Sequence, residues 1–376
     1  MKKKIILWIS LIVIIFIGSY FVWNTQKEKS KQDKEVVKIG AVLPLTGENA
    51  YYGKKAQQGY DLAIEEINSI VPNNIDISIV YEDSKAQAKE ALNAFKNLIT
   101  TNSQMKVTVG YLTSSEVLTV APEANRNQII LFSTGASSPK ISEAGDFVFR
   151  DVPSDVYEPK VLAKYIFNDT KIRNVGILFN NGDYGIGVVD KFTDIFTELG
   201  GKVTIKSGYD SNMFESQLLK VISTKPNAIF IVGYKELGSL TRRIKELNYG
   251  GQILSTALYE DNDILKNAGN ASEGVIFTSI TFDKDMNKQT RDFYKKYLNK
   301  YNEEPDGFSA VAYDAIHILY KCLKNNPYDV NRIKENIYSI KNYQSLLGTI
   351  VFDESGDIIL PIKIKTVKNG KFINLN

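Results

Sequence analysis

Two short polar segments, Thr113-Ser114-Ser115 and Gly135-Ala136-Ser137-Ser138, hold residue types suited to gripping an anion. Each follows an apolar, β-branched run, Val107 to Val109 and Ile129 to Phe132, and Val117, Val120, Ala121 and Ala124 recur between them at helical spacing. That pattern reads strand, loop, helix, strand, loop, with the two strands parallel. Both loops then lie beyond the carboxyl ends of strands, where open α/β sheets bind their ligands. The first loop also opens a helix, whose unpaired N–H groups and dipole favour a carboxylate or another anion. The competing reading is local: Ser and Thr after a strand commonly cap a helix or make a turn.

Catalysis finds little support. The chain lacks a G-x-S-x-G elbow, an H-E-x-x-H helix and a P-loop. Its only histidine, His317, lies in the helical run from Phe308 to Leu323, far from any second imidazole in sequence, so no histidine base serves Ser114. Cys322 is the only cysteine, which excludes an intramolecular disulfide and a cysteine-based zinc cluster. Gly182, Gly185 and Gly187 do not have the dinucleotide spacing G-x-G-x-x-G. We expect a non-enzymatic protein that needs no cofactor. Tyr184 and Tyr234 each follow a strand in the second half of the chain, which separates them from the remaining tyrosines as candidate ligand contacts.

The elements that position these groups alternate throughout. A strand at Val36 to Leu45 leads to a helix from Tyr52 to Ser69. Strand Ile75 to Tyr81 and helix Lys85 to Thr100 precede the central stretch. From Asp155 a second series runs helix Tyr157 to Phe167, strand Asn174 to Asn180, helix Ile186 to Leu199, strand Lys202 to Ser207, helix Phe214 to Ser223, strand Ala228 to Gly233 and helix Leu237 to Leu247. Such βαβ repetition predicts parallel sheets covered on both faces. Helices near 287–301, 308–325 and 330–340 follow, and the tail ends in strands joined at Asn369-Gly370, a hairpin signal. A chain of 376 residues is long enough for two domains. Net charge is only +3 and is concentrated in the first 40 residues, so no basic stripe suits nucleic acid.

Lys2, Lys3 and Lys4 precede an apolar run from Ile5 to Trp23, long enough to span a bilayer and without an A-x-A cleavage site. We expect an uncleaved transmembrane anchor at 1–23, the alternative being a cleaved signal, then a polar linker at 24–35, and the rest of the chain outside the cytoplasm.

The ordered set TSSE, ILFSTGASSP, NNGDYGIG (180–187), IFIVGYKELG (229–238) and FDESGD (352–357) resembles the Leu/Ile/Val-binding proteins of ABC importers over about residues 36–376. The same fold forms the ligand-binding domains of metabotropic glutamate receptors. The resemblance implies an α/β, two-lobed type I periplasmic-binding-protein fold with three hinge crossovers. One lobe would be 36–153 with 281–349, the other 154–280 with 350–376. It also implies a solute-binding protein that captures an amino acid or related small carboxylate and delivers it to an ABC permease. The alternatives are a sensor domain, or a binder of an amide or other solute.

The resemblance gives site residues as well. Ser114 and Ser137 correspond to hydroxyls on the ligand's α-carboxylate. Gly135 offers a carbonyl to its ammonium, with Ala136 in the same loop. Tyr184 and Tyr234 close over the ligand, and Tyr52 covers the side-chain pocket. Ala257 stands where branched-chain binders carry an acid. Glu260, three residues on, and Asp155, in VPSDVYEP, are the candidates to replace it, although Asp155 also suits an N-cap.

Overall fold

The alternation of β-branched runs and amphipathic segments folds into two sheets in a computed structural model, which describes residues 34–375 apart from 72, 211, 212 and 281. The apolar run at 5–23 and nearly all of the polar linker lie outside the described residues. Among the described residues no helix is long and apolar enough to cross a membrane.

The first sheet contains β1 (Glu35–Leu43), β2 (Ile75–Asp83), β3 (Val107–Gly110), β4 (Ile130–Ser133) and β5 (Val148–Arg150), in the order β2-β1-β3-β4-β5 with every pair parallel. Helices α1 (Ala50–Ser69), α2 (Ala88–Thr101) and α3 (Ser114–Asn127) are the crossovers. Parallel sheets need cover on both faces. Here Ile39, Ala41, Val109 and Phe132 lie in one buried core, and Val42, Tyr111 and Leu131 lie in another shared with α2 and α3.

The second series supplies β6 (Asn174–Asn180), β7 (Lys202–Tyr209), β8 (Ala228–Val232), β9 (Gln252–Ser255) and β10 (Ile276–Ser279). Its helices are α4 (Glu158–Asp169), α5 (Asp183–Glu198), α6 (Glu215–Ser223), α7 (Leu237–Glu246) and α8 (Asn262–Ala268). The chain then returns to the first sheet through α9 (Lys288–Tyr301), α10 (Gly307–Leu323), α11 (Val330–Tyr338) and a small hairpin, β11 (Tyr343–Ser345) with β12 (Gly348–Ile350). Helix α10 lies so close to α1 that a Cβ on Gly59 would sit 2.3 Å from the Ser309 carbonyl oxygen.

Finally β13 (Lys363–Lys368) and β14 (Lys371–Asn374) join the second sheet, whose order is β14-β13-β10-β9-β8-β6-β7. This edge departs from the parallel sheet expected, because β13 runs antiparallel to both β10 and β14. The cause is local. Asn369 and Gly370 both take positive φ, 53° and 65°, and a turn that short can join only antiparallel strands.

The chain therefore passes between the two sheets three times. Pro153 bridges to Ile358, and Ile358 also bridges to Phe352, so the first and third passages lie side by side. Ile358 and Leu360 bury themselves in the core of the first sheet. Beneath these passages Arg150 is fully buried. Its Nε donates to Asp357 Oδ1 and its Nη2 to Asp357 Oδ2, both at 2.6 Å, while Nη1 donates to the Ser138 carbonyl at 2.9 Å.

Candidate functional site

The carboxyl ends of the strands of the two sheets face one another across a cavity of about 390 Å³. Ser114, Gly135 and Ser137 line it from the first lobe, Tyr184 and Tyr234 from the second, and Tyr52 closes one side. Leu112, Val152, Ile280, Phe308, Val311 and Leu347 make much of the remainder apolar.

On the first lobe the capping role belongs to Thr113. Its Oγ1 accepts from Glu116 N at 3.4 Å and its N donates to Glu116 Oε2 at 2.8 Å, a reciprocal capping box. Ser114, the first helical residue, is thereby released from capping. Its buried Oγ accepts from Ser138 N at 3.1 Å, which ties the two hydroxyl loops together and leaves the Ser114 hydroxyl proton available. The first N–H groups of α3 have no intrahelical partners, so this corner of the cavity favours a carboxylate.

Ser137 is differently placed. Its Oγ donates to Asp155 Oδ2 at 2.9 Å, and its carbonyl accepts from Asp155 N at 2.8 Å. A hydroxyl has one proton, and here Asp155 takes it, so toward the cavity Ser137 acts as an acceptor. Ala136 is buried behind the loop with its N donating to Ser133 Oγ at 3.1 Å, and it does not line the cavity.

On the second lobe, Tyr184 donates from its hydroxyl to Thr256 Oγ1 at 2.8 Å and packs 5.6 Å from the Tyr234 ring. The first turn of α5 presses against the end of β6, where a Cβ on Gly185 would lie 2.0 Å from the Asn180 carbonyl oxygen. Tyr52 packs 4.7 Å from Phe308, ring to ring.

The lobes touch on both sides of the cavity. Ser115 Oγ donates to Asp183 Oδ2 at 2.9 Å, and Lys140 lies 3.3 Å from Asp183 Oδ1. On the other side the Lys235 ammonium sits 3.4 Å from the centre of the Tyr51 ring, held by Asp261 at 2.7 Å and Asp263 at 3.2 Å. Tyr51 in turn donates to Asp306 Oδ2 at 3.1 Å.

The acidic groups differ sharply in their surroundings. Glu260 lines the cavity but is neutralised by Lys365 and accepts from Ser279 Oγ. Asp155 is fully buried behind Ser137 rather than lining the cavity, and its Oδ1 has no partner among the described residues. It is not an N-cap either: α4 begins only at Glu158, after Tyr157, and has no side-chain cap. Glu158, which sequence reasoning missed, does line the cavity. Its Oε1 accepts from Ala257 N at 2.6 Å and from Thr278 Oγ1. Burial pushes both carboxyls above the ordinary range, and the Glu158 charge adds to the rise at Asp155. The available signal was the VPSDVYEP segment itself, in which Glu158 follows Asp155 by three residues. Tyr51 and Lys235 were also missed; each adjoins a tyrosine already singled out. Among the described residues no group of three or more His, Cys, Asp or Glu is arranged to hold a metal.

Leu/Ile/Val-binding protein homolog 1 of Brucella abortus is 27% identical over 335 residues, 86% of this chain and 88% of that protein. The leucine-, isoleucine-, valine-, threonine- and alanine-binding protein of Pseudomonas aeruginosa is 25% identical over 86% of this chain and 87% of its own. Among solved structures, a leucine binding protein LivK from Thermotoga maritima superposes with a TM-score of 0.83 at 27% identity, covering 90% of this chain and 98% of that one. A family profile described as periplasmic binding protein matches residues 36–371. With two sheets facing one cleft, three passages between them and this match along nearly the whole described region, the chain belongs to the periplasmic binding protein family.

Proposed function

We propose that this protein captures an α-amino acid between its two lobes, outside the cytoplasm, and delivers it to the permease of an ABC importer. The observation that carries the reading is the arrangement at Ser114. A hydroxyl freed from helix capping stands at the amino end of α3, in a cavity closed by tyrosines of the opposite lobe. The relatives named for leucine, isoleucine and valine binding support the same class of ligand. In this reading Ser114 and the first turn of α3 hold the ligand carboxylate, the Gly135 carbonyl faces its ammonium, Tyr184 and Tyr234 close over it, and Tyr52 covers its side chain. The hinge divides the chain into one lobe of 36–153 with 281–349 and another of 154–280 with the tail that carries β13 and β14, the third passage between them packing Ile358 and Leu360 on the first lobe, and the apolar run at 5–23 tethers both to the membrane.

A thermal-shift screen of the common amino acids, their amides and small carboxylates tests the proposal. Ligand at 100-fold over Kd adds about 2.7 kcal/mol of stability, a readily measured rise in Tm. The proposal fails if no α-amino acid raises the midpoint.

A further inference from the structure

Of the carboxylates that line the cavity, Glu158 is the buried one, and no protein cation neutralises it; Asp306 is held by the Tyr51 hydroxyl and Ser309 N, and Glu304 is exposed and accepts from the Tyr294 hydroxyl. Glu158 is only 6% exposed, yet it lines the cavity. Its two hydrogen bonds, from Ala257 N and Thr278 Oγ1, both fall on Oε1, and among the described residues no donor reaches Oε2. Lys284, also in the lining, is exposed and sits over the Tyr294 ring, 5.0 Å from its centre; the other cations nearby are committed elsewhere. Arg150 is committed to Asp357 and the Ser138 carbonyl. Lys365 is committed to Glu260, and Lys235 to Asp261 and Asp263 at the edge of the cleft. Asp155, the nearest acid, spends Oδ2 on Ser137 behind the cavity wall. A carboxylate buried without a counter-ion is costly, and the cost is removed when a cation completes the pair.

Resting on the amino-acid reading above, we infer that Glu158 is the charge partner of the ligand's ammonium group. The backbone of Ala257 and the hydroxyl of Thr278 fix the carboxylate from the far side, so Oε2 is the atom left for the ligand. The methyl side chain of Ala257 leaves the adjoining space to the ammonium. Ser137, its own proton given to Asp155, offers a second acceptor from the first lobe. The ligand thus spans the cleft with its carboxylate at the amino end of α3 and its ammonium against the first turn of α4. The specificity that follows is for a zwitterion: a plain carboxylate held at α3 would leave the buried Glu158 facing an apolar group without a charge partner.

The test compares each amino acid that binds with its des-amino analogue, for example L-leucine with 4-methylpentanoate and L-phenylalanine with 3-phenylpropanoate. Calorimetry is run on the wild type, on Glu158→Gln and on Glu215→Gln. The wild type should bind the amino acid at least 100-fold more tightly than the des-amino acid. Glu158→Gln keeps an acceptor for Ala257 and Thr278 but loses the charge, so it should lose more than tenfold in amino-acid affinity while the des-amino acid is bound no more weakly. Glu215→Gln, at an exposed ion pair with Arg243 away from the cavity, should change amino-acid affinity less than threefold. Undiminished amino-acid binding by Glu158→Gln overturns the inference and leaves the proposed function standing. Equal binding of both analogues by the wild type overturns it without need of any variant. Binding of des-amino acids alone overturns both readings.

Discussion

Replacing Arg150 by Met isolates the buried strap beneath the hinge. The substitution preserves much of the side-chain volume but removes the guanidinium that meets Asp357 at 2.6 Å through two nitrogens and supports the Ser138 carbonyl at 2.9 Å. Arg150 is fully buried and the Asp357 side chain is 6% exposed, so solvent screens the pair little. Breaking a buried ion pair from one side costs about 3–5 kcal/mol, because the remaining charge has no partner. With an unfolding entropy of about 2.1 cal/mol/K per residue over the about 340 residues described, that cost lowers Tm by about 4–7 °C. The assay is differential scanning calorimetry on a double-mutant cycle of Arg150→Met, Asp357→Asn and the pair together. Removing both charges should recover a substantial part of the loss, since the second substitution relieves the burial penalty left by the first. Losses that simply add would refute the argument, as would a Tm within 1 °C of wild type for Arg150→Met. A further consequence is specific to the site: the loop carrying Ser137 and Ser138 loses its support, so ligand affinity should fall together with stability.

Ser114→Ala should weaken amino-acid binding by about 1.5–3 kcal/mol, the range for a hydrogen bond to a charged group, and calorimetry measures it. It should also cost about 1 kcal/mol in stability, because the Ser138 N–H loses its acceptor. Lys235→Ala removes the cation held over Tyr51 between the lobes. A partly desolvated contact of this kind contributes about 0.5–2 kcal/mol, so ligand dissociation in stopped flow should accelerate several-fold, and an unchanged rate would refute the latch. His317 is held down to about 4 by burial against Tyr313, its ring 4.4 Å away. The unfolded chain therefore binds a proton that the folded one refuses between about pH 6.5 and 4, and this contribution, present above 6.5, is lost as pH falls through that window. Relative to wild type, His317→Leu should gain stability on the order of 3 kcal/mol between pH 7 and 4 in urea titrations; parallel pH profiles would contradict the assignment.

The lobed α/β architecture was legible because its signals are local: β-branched strands, amphipathic helices and the Asn369-Gly370 turn each declare themselves within a few residues. The capping box of Thr113 and Glu116 is equally local, and it is what separates Ser114 from the capping role. What could not be read depends on which distant groups meet. Glu158 and the Ala257 N–H are 99 residues apart, so nothing near either one announces their contact. Asp155 shows the converse limit. Its position beside the cleft could be inferred from the segment around it, but whether its carboxylate faces a ligand or Ser137 is decided by the rotation of one side chain. Glu260 likewise reads as a free acid until β13 brings Lys365 alongside.

The bond from Ser138 N to Ser114 Oγ has a kinetic consequence. Because it joins the two first-lobe loops directly, with Arg150 behind them, that half of the site is rigid before any solute arrives and costs little ordering entropy on binding. Tyr184, Tyr234 and Glu158 belong to the other lobe, so on the proposed reading they should reach the solute only as the cleft shuts. Encounter and retention are then separable: solute should dock first on the open face of the first lobe, at a rate indifferent to Tyr184, Tyr234 or Glu158. Those residues should instead set how long it stays, so their substitution should raise the dissociation rate.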